Sequence, residues 1–183
     1  MTQPLERILH SQGFGARKAC RALVRAGRVA VDGLLCDDPF AEFVPEGLQF
    51  RVDDTTWPYR PKAYVMLNKP AGYECSRTPR HHAGVLDLLP PPLRTRGVQP
   101  VGRLDEDTTG LLLCSDDGQF IHRLIAPKHQ IAKVYAVTLK HAVDTDLVDA
   151  LRKGVLLRDE DQPSVALDCV AVGMHGIHLT LGE

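Results

Sequence analysis

The chain has 183 residues, 44% of them apolar and 25% charged, with a formal net charge of −1. That balance matches an ordinary globular protein and excludes wholesale disorder, while the length gives room for one full domain or two small ones. The longest apolar runs, such as Leu111 to Cys114, fall far short of a membrane span, and no charged-then-apolar leader precedes Leu5, so neither membrane nor secretion is expected.

The neutral total conceals an uneven distribution. From Met1 to Val31 the bases are Arg7, Arg17, Lys18, Arg21, Arg25 and Arg28 against the single acid Glu6. From Asp32 to Pro58 seven acids stand against Arg51 alone. A basic head beside an acidic flank hides a local electrostatic footprint inside a neutral average.

Leu5, Ile8 and Leu9 at helical spacing predict a short helix from Pro4 to Gln12, ended by Gly13. A second helix follows from about Ala16 to Ala26, with Ala16, Ala19, Cys20, Leu23 and Val24 as its apolar stripe. Arg17, Arg21, Arg25 and Arg28 recur on another face at steps of four, four and three, with almost no acids at neighbouring turns. A solvated face is the bland reading of that row; a phosphate backbone, which neutralises it and releases counterions, is the functional one. Asp32-Gly33 between Val29-Ala30-Val31 and Leu34-Leu35-Cys36 predicts a hairpin, because both turn residues tolerate positive φ.

Residues 53–61, with two prolines and no clear period, read as a linker of limited flexibility. Beyond it, Ala63 to Leu67 predicts a buried strand ending in the turn-rich Asn68-Lys69-Pro70-Ala71-Gly72. Pro90-Pro91-Pro92 predicts an extended surface loop. Leu111 to Cys114 reads as a strand, Gln119 to Ala126 as a helix stopped by Pro127, and Lys133 to Leu139 as another strand. Asp144 is placed to cap a helix through Lys153, closed by Gly154. Val165 to Val172 and Ile177 to Leu181 predict a terminal antiparallel pair. The expected class is therefore α+β, with a mostly antiparallel mixed sheet and flanking helices.

The densest cluster of reactive side chains runs from Gly102 to Leu113, with Arg103, Asp105, Glu106 and Asp107 in a glycine-flanked loop. A buried Asp beside Arg stays ionised, and an ionised, partly desolvated carboxylate serves as nucleophile or general base. A surface loop with structural ion pairs is the competing reading. Three adjacent acids also hint at a divalent cation, but no calcium-loop spacing follows. Five cysteines (Cys20, Cys36, Cys75, Cys114, Cys169) without a C-x-x-C pair predict neither a disulfide framework nor a zinc ribbon, and a reducing cytoplasm is expected. The histidines, including His81-His82, lack ligand spacing, so no metal is expected.

Helix, loop, basic helix and V-x-V-D-G hairpin together resemble the small RNA-binding module of a small-subunit ribosomal protein and several RNA-modifying enzymes, S-four-like in type. Gly102-Arg103-Leu104-Asp105-x-x-Thr108-x-Gly110-Leu111, with Leu67-Asn68-Lys69-Pro70-x-Gly72 before it and Lys133-Val134-Tyr135 after it, resembles the signature of the RluA and RsuA group of RNA pseudouridine synthases. The module in front points to the RsuA branch. The resemblance implies an S-four-like domain over 1–52, the linker at 53–61 and a catalytic domain over 62–183. It further implies a cytoplasmic, monomeric enzyme that isomerises one uridine of ribosomal RNA, or of an assembling subunit, without a cofactor.

By the same resemblance Asp105 is the catalytic aspartate, whether it attacks the sugar, attacks the base or removes a proton. Arg103 belongs to base flipping, Tyr135 stacks on the target base, and Leu181 lines an apolar pocket. Asn68, Lys69 and Lys133 contact substrate, Lys128 is a further candidate for phosphate, and Arg7, Arg17, Lys18, Arg21, Arg25 and Arg28 hold RNA. Pro127-Lys128-His129-Gln130, and His81-His82 near Val85-Leu86, resemble the small-subunit branch. A large-subunit enzyme, a glycosidase releasing base and a non-catalytic RNA-binding or assembly module stand as alternatives. The last of these follows from the sequence ending at Gly182-Glu183, where the family continues into a segment whose basic residue pairs with the aspartate. A natural truncation, a fragment of a longer protein and an incomplete sequence all fit that ending; if the protein ends there, weak or no activity is expected.

Overall fold

The computed structural model describes residues 1–76, 78–158 and 161–182; Glu183, at the chain end singled out above, lies outside them. The chain divides into two compact units, Met1–Ile121 and His122–Glu183. The elements are mixed α and β, and all the sheets but one two-stranded pair are antiparallel, as the sequence pattern predicts. Among the described residues no helix is long and apolar enough to cross a membrane.

The first unit opens with β1 (Gln3–Pro4), α1 (Leu5–Ser11) and α2 (Arg17–Arg25), then β2 (Val29–Val31) and β3 (Leu34–Leu35). β4 (Glu42–Phe43) pairs with β1, and β5 (Gln49–Val52) and β6 (Thr55–Pro58) complete a sheet of order β3-β2-β5-β6. Leu5, Ile8 and Leu9 of α1, Cys20 and Val24 of α2, and Val29, Val31 and Phe50 of the sheet form one buried core. The hairpin turns on Asp32 (φ 48°) and Gly33 (φ 84°), the conformation that the Asp-Gly pair predicts.

The expected linker is corrected here. Thr55–Pro58 is a strand paired with β5, and Asp53 (φ 53°) begins the turn that leads to it. The side chain that holds it is Trp57, set edge-on to Phe14 with centroids 5.5 Å apart, while Phe14 meets Phe50 at 5.6 Å. Pro58 is tolerated because β6 is an edge strand, where a missing N–H costs no ladder bond. The boundary between the compact units falls after Ile121.

The rest of the first unit contains β7 (Tyr64–Lys69), β8 (Tyr73–Glu74), β9 (Ala83–Gly84), a 3-10 turn (Val85–Leu88), α3 (Pro91–Thr95), β10 (Gln99–Pro100), β11 (Gly110–Ser115) and α4 (Gly118–Ile125), whose end enters the second unit. β7 alternates rather than being buried on both faces: Val65 and Leu67 face a core with Leu112 and Cys114, while Tyr64 and Met66 are exposed. The proline run also departs from expectation. Pro90 caps α3 and Pro91 and Pro92 occupy its first turn, because a fixed φ and an absent N–H suit that position. Asp117 caps α4 through the N–H groups of Gln119 and Phe120 and accepts the Tyr64 hydroxyl at 2.7 Å, which above all holds its carboxyl below the ordinary range.

The second unit carries a 3-10 turn (Pro127–His129), β12 (Lys133–Thr138), α5 (Thr145–Lys153), β13 (Asp168–Val172) and β14 (Gly176–Leu181) in sheet order β12-β14-β13. Asp144 caps α5 by accepting from the Leu147 N–H at 2.7 Å, as its spacing predicts. β13 begins later than the predicted Val165, because Val155 and Ser164 pair instead in an isolated bridge that turns the chain.

Candidate active site

The site is built on the register of two strands. Lys69, the last residue of β7, stands directly across from Gly110, the first of β11, so the loop over 101–109 closes over that end of the sheet. Lys69 is fully buried. Its Nζ donates to the carbonyls of Asp105 (2.9 Å), Glu106 (3.0 Å), Thr108 (2.7 Å) and Pro70 (3.2 Å). Three ammonium protons thus serve four carbonyls, and among the described residues no carboxylate ion-pairs with this group. Backbone dipoles replace the water a buried charge loses.

The loop is pinned further by the Gly72 N–H on the Glu106 carbonyl (2.9 Å) and the Thr108 N–H on the Asp105 carbonyl (3.1 Å). The N-K-P-x-G and G-R-L-D-x-x-T-x-G segments are therefore one object: the first supplies the cation around which the second winds. Gly110 starts β11 at φ 118°, a conformation that L side chains rarely adopt.

This geometry corrects two readings. Lys69 is an interior organiser and has no proton left for a phosphate. Asp105 is exposed rather than buried, and among the described residues its carboxylate makes neither an ion pair nor a hydrogen bond with Arg103, which is exposed as well. The reason is the same in both cases: the loop spends the Asp105 carbonyl on Lys69 and leaves the carboxylate in solvent. Asn68 is exposed opposite Leu111.

A neighbouring carboxylate escaped the sequence reading. Glu74, at the end of β8, accepts the N–H groups of Arg80 (3.1 Å), His81 (2.8 Å) and His82 (2.9 Å). These backbone donors hold its carboxyl below the ordinary value near 4.5. His82 in turn lies 3.7 Å from Glu106 in the Asp105 loop. Only a lone acid ahead of a basic stretch announces Glu74 in the sequence.

Lys133, Tyr135 and Leu181 belong to the second unit. Lys133 stands opposite Leu181, and Tyr135 opposite Leu179 with Cys169 beyond it, so the register brings the three predicted residues along one face of the sheet. Tyr135 and Leu181 are half-buried there, and Lys133 donates to the Ile131 carbonyl at 3.4 Å. Lys128 is exposed in the 3-10 turn.

The basic row of the N-terminal module separates into two groups. Arg21 ion-pairs with the buried carboxylate of Glu6 and lies over the Phe40 ring at 5.2 Å. Arg28 meets Asp53 in a two-pronged bond of 2.6 and 2.7 Å. Both acids come from outside the neighbouring turns, so helical spacing alone does not reveal that these two arginines are paired. Arg7, Arg17, Lys18 and Arg25 are exposed and form no ion pair among the described residues.

The site is thus an Arg-Leu-Asp loop organised by a buried cation at the end of an antiparallel sheet in an α+β chain, and three comparisons bear on what such a chain is similar to. A family profile described as RNA pseudouridylate synthase matches residues 63–167. The uncharacterized RNA pseudouridine synthase YtzG of Bacillus subtilis (strain 168) is 36% identical over 153 residues, covering 84% of this chain and 64% of that one. The ribosomal small subunit pseudouridine synthase A of Yersinia pestis is 35% identical over 175 residues, covering 94% of this chain and 74% of the relative. A crystal structure of a pseudouridylate synthase superimposes with a TM-score of 0.62 at 29% identity, over 99% of this chain and 77% of that one. The chain belongs to the RNA pseudouridine synthase family.

Proposed function

We propose that the chain isomerises a uridine of small-subunit ribosomal RNA to pseudouridine, acting as a single chain in the cytoplasm and without a cofactor. The glycosidic N1–C1′ bond breaks, the base turns, and C5 takes the place of N1 on the sugar while the C5 proton is released and N1 gains one. Positive charge that builds at the sugar is stabilised or captured by a nearby carboxylate, the role assigned to Asp105. Arg103 serves base flipping, which a paired uridine requires; Tyr135 stacks on the target base, Leu181 lines its pocket, and Asn68 and Lys133 contact the substrate. Residues 1–52 form the S-four-like module, and its exposed Arg7, Arg17, Lys18 and Arg25 hold phosphates.

The observation that carries this reading is the Lys69 ammonium gathering the carbonyls of Asp105, Glu106 and Thr108, which fixes the loop backbone while leaving the Asp105 carboxylate free to act. The small-subunit choice rests on the name of the Yersinia relative together with the Pro127-Lys128-His129-Gln130 stretch. A non-catalytic RNA-binding reading has one observation in its favour: no cation ion-pairs with Asp105 among the described residues. Incubation with small- and large-subunit RNA, followed by mapping of pseudouridine and assay of free uracil, decides. Pseudouridine at one small-subunit position is expected; free uracil would indicate a glycosidase, modification of large-subunit RNA alone the other branch, and tight binding without product the non-catalytic reading.

A further inference from the structure

Within the first unit three chain segments converge on one side chain. Arg96, at the end of α3, has a side chain only 5% exposed, which holds Asp116, at the end of β11, with its Nη2 at 2.7 Å and its Nε at 2.9 Å. Its Nη1 donates to the Gln12 Oε1 (3.0 Å) at the end of α1 and to the Arg60 carbonyl (3.0 Å), and Nη2 reaches the Pro61 carbonyl (3.3 Å).

The partners are themselves cross-linked. Gln12 is buried; its Oε1 accepts the Arg60 N–H at 3.0 Å and its Nε2 donates to the Arg60 carbonyl at 3.1 Å. Asp116 also accepts the Ala63 N–H at 2.8 Å. Beside them Gly13, at φ 88°, lies so close to α3 that a Cβ would stand 2.0 Å from the Pro92 carbonyl oxygen. The connector between the helical module and β7 is thus held by its own backbone groups from both sides. A plain tether leaves such groups hydrated and the joined parts free to reorient.

We propose that Arg96 is a positioning residue that keys the basic N-terminal module to the body carrying Asp105, so that the module fixes which uridine is modified by its set distance from the loop. The inference rests on the functional reading above. Every strong partner of Arg96 comes from outside its own helix, and a buried charge network of this kind specifies one arrangement more than it adds net stability. With the key engaged, the exposed Arg7, Arg17, Lys18 and Arg25 are carried on the same rigid unit as Asp105, so an RNA helix held by one presents a defined stretch of strand to the other. Productive geometry in such a reaction is sensitive to displacements of an ångström.

The test uses the full chain with Arg96→Gln, and with Gln12→Ala as a milder second variant should the first fail to fold. Arg94→Gln, which touches only the exposed pair with Asp87 at 3.0 Å, is the control. Arg60 precedes Pro61, so Lys62 is the connector's tryptic site. Cleavage after Lys62 is expected to accelerate about tenfold in Gln12→Ala, the factor for one lost charge-assisted hydrogen bond, more than tenfold in Arg96→Gln, which also loses the Asp116 pair, and to stay unchanged in the control.

Affinity for a short RNA hairpin is expected to hold within about twofold, since the exposed bases are untouched. Pseudouridine at the principal position is expected to fall about tenfold, with product appearing at neighbouring uridines. Unaltered protection of Lys62 in both variants overturns the key, as does an opened connector with the yield and position of product unchanged. A wild-type chain that makes no pseudouridine overturns the functional reading and with it target choice by geometry; whether Arg96 locks the connector is then decided by Lys62 protection alone.

Discussion

The first unit answers its cations in two different ways. In the N-terminal module Arg21 and Arg28 are answered by carboxylates, Glu6 and Asp53, that come from other parts of the chain. At the end of β7, Lys69 is answered by carbonyls alone. A guanidinium paired with a carboxylate ties two segments together and can be replaced by apolar contact at modest cost, whereas an ammonium solvated by a loop's own carbonyls dictates the path of that loop. The charge of a residue in the sequence therefore does not say whether it serves a ligand or the fold; the number of committed protons does.

The sharpest way to break this contrast is Lys69→Met. Stripping the ammonium leaves the carbonyls of Asp105, Glu106 and Thr108 without their donor, and a loss of about 3 kcal/mol in urea unfolding is expected, with product formation abolished. A variant that unfolds like wild type would show that the loop does not depend on this cation. Next in size, Leu9→Ala in the fully buried N-terminal core is expected to cost about 3 kcal/mol, whereas Leu179→Ala in the half-buried sheet of the second unit costs about 1, measured in the same titration.

A smaller effect separates the two kinds of arginine. Arg25→Gln is expected to lower the slope of log affinity against log salt by about one for RNA, because one phosphate contact is lost. Arg21→Gln should leave that slope in place and lower stability instead. The smallest effect concerns pH. Its bond to Arg21, first of all, holds the Glu6 carboxyl below the ordinary value near 4.5. A carboxyl depressed in the folded state contributes stability that is present above its unfolded value and lost as pH falls through the folded one. Wild-type melting temperature should thus drop more steeply than that of Glu6→Gln as pH is lowered below about 4.5, and parallel curves would contradict the assigned pair.

Much of the fold was legible because periodicity reports on burial: Leu5, Ile8 and Leu9 all reach the core, and Asp32-Gly33 turns the hairpin it predicts. Thr55–Pro58 was not, because its strand is held by Trp57 against Phe14, a contact spanning 43 positions that no local period carries. The chain segment of the site stood out as a motif, yet Lys69 read as a substrate contact, since nothing in sequence distinguishes an ammonium facing a ligand from one facing four carbonyls. Glu74 and Arg96 were invisible for a similar reason: their partners are backbone groups or residues far along the chain.

The proposed chemistry rests on one carboxylate. Because the Asp105 side chain is exposed and forms no ion pair among the described residues, Asp105→Asn removes a reactive group without removing a support. Pseudouridine formation on ribosomal RNA, read alongside thermal melting, is expected to vanish while the melting temperature stays where it was. Undiminished product from the Asn variant would contradict the assignment of the chemistry to this residue.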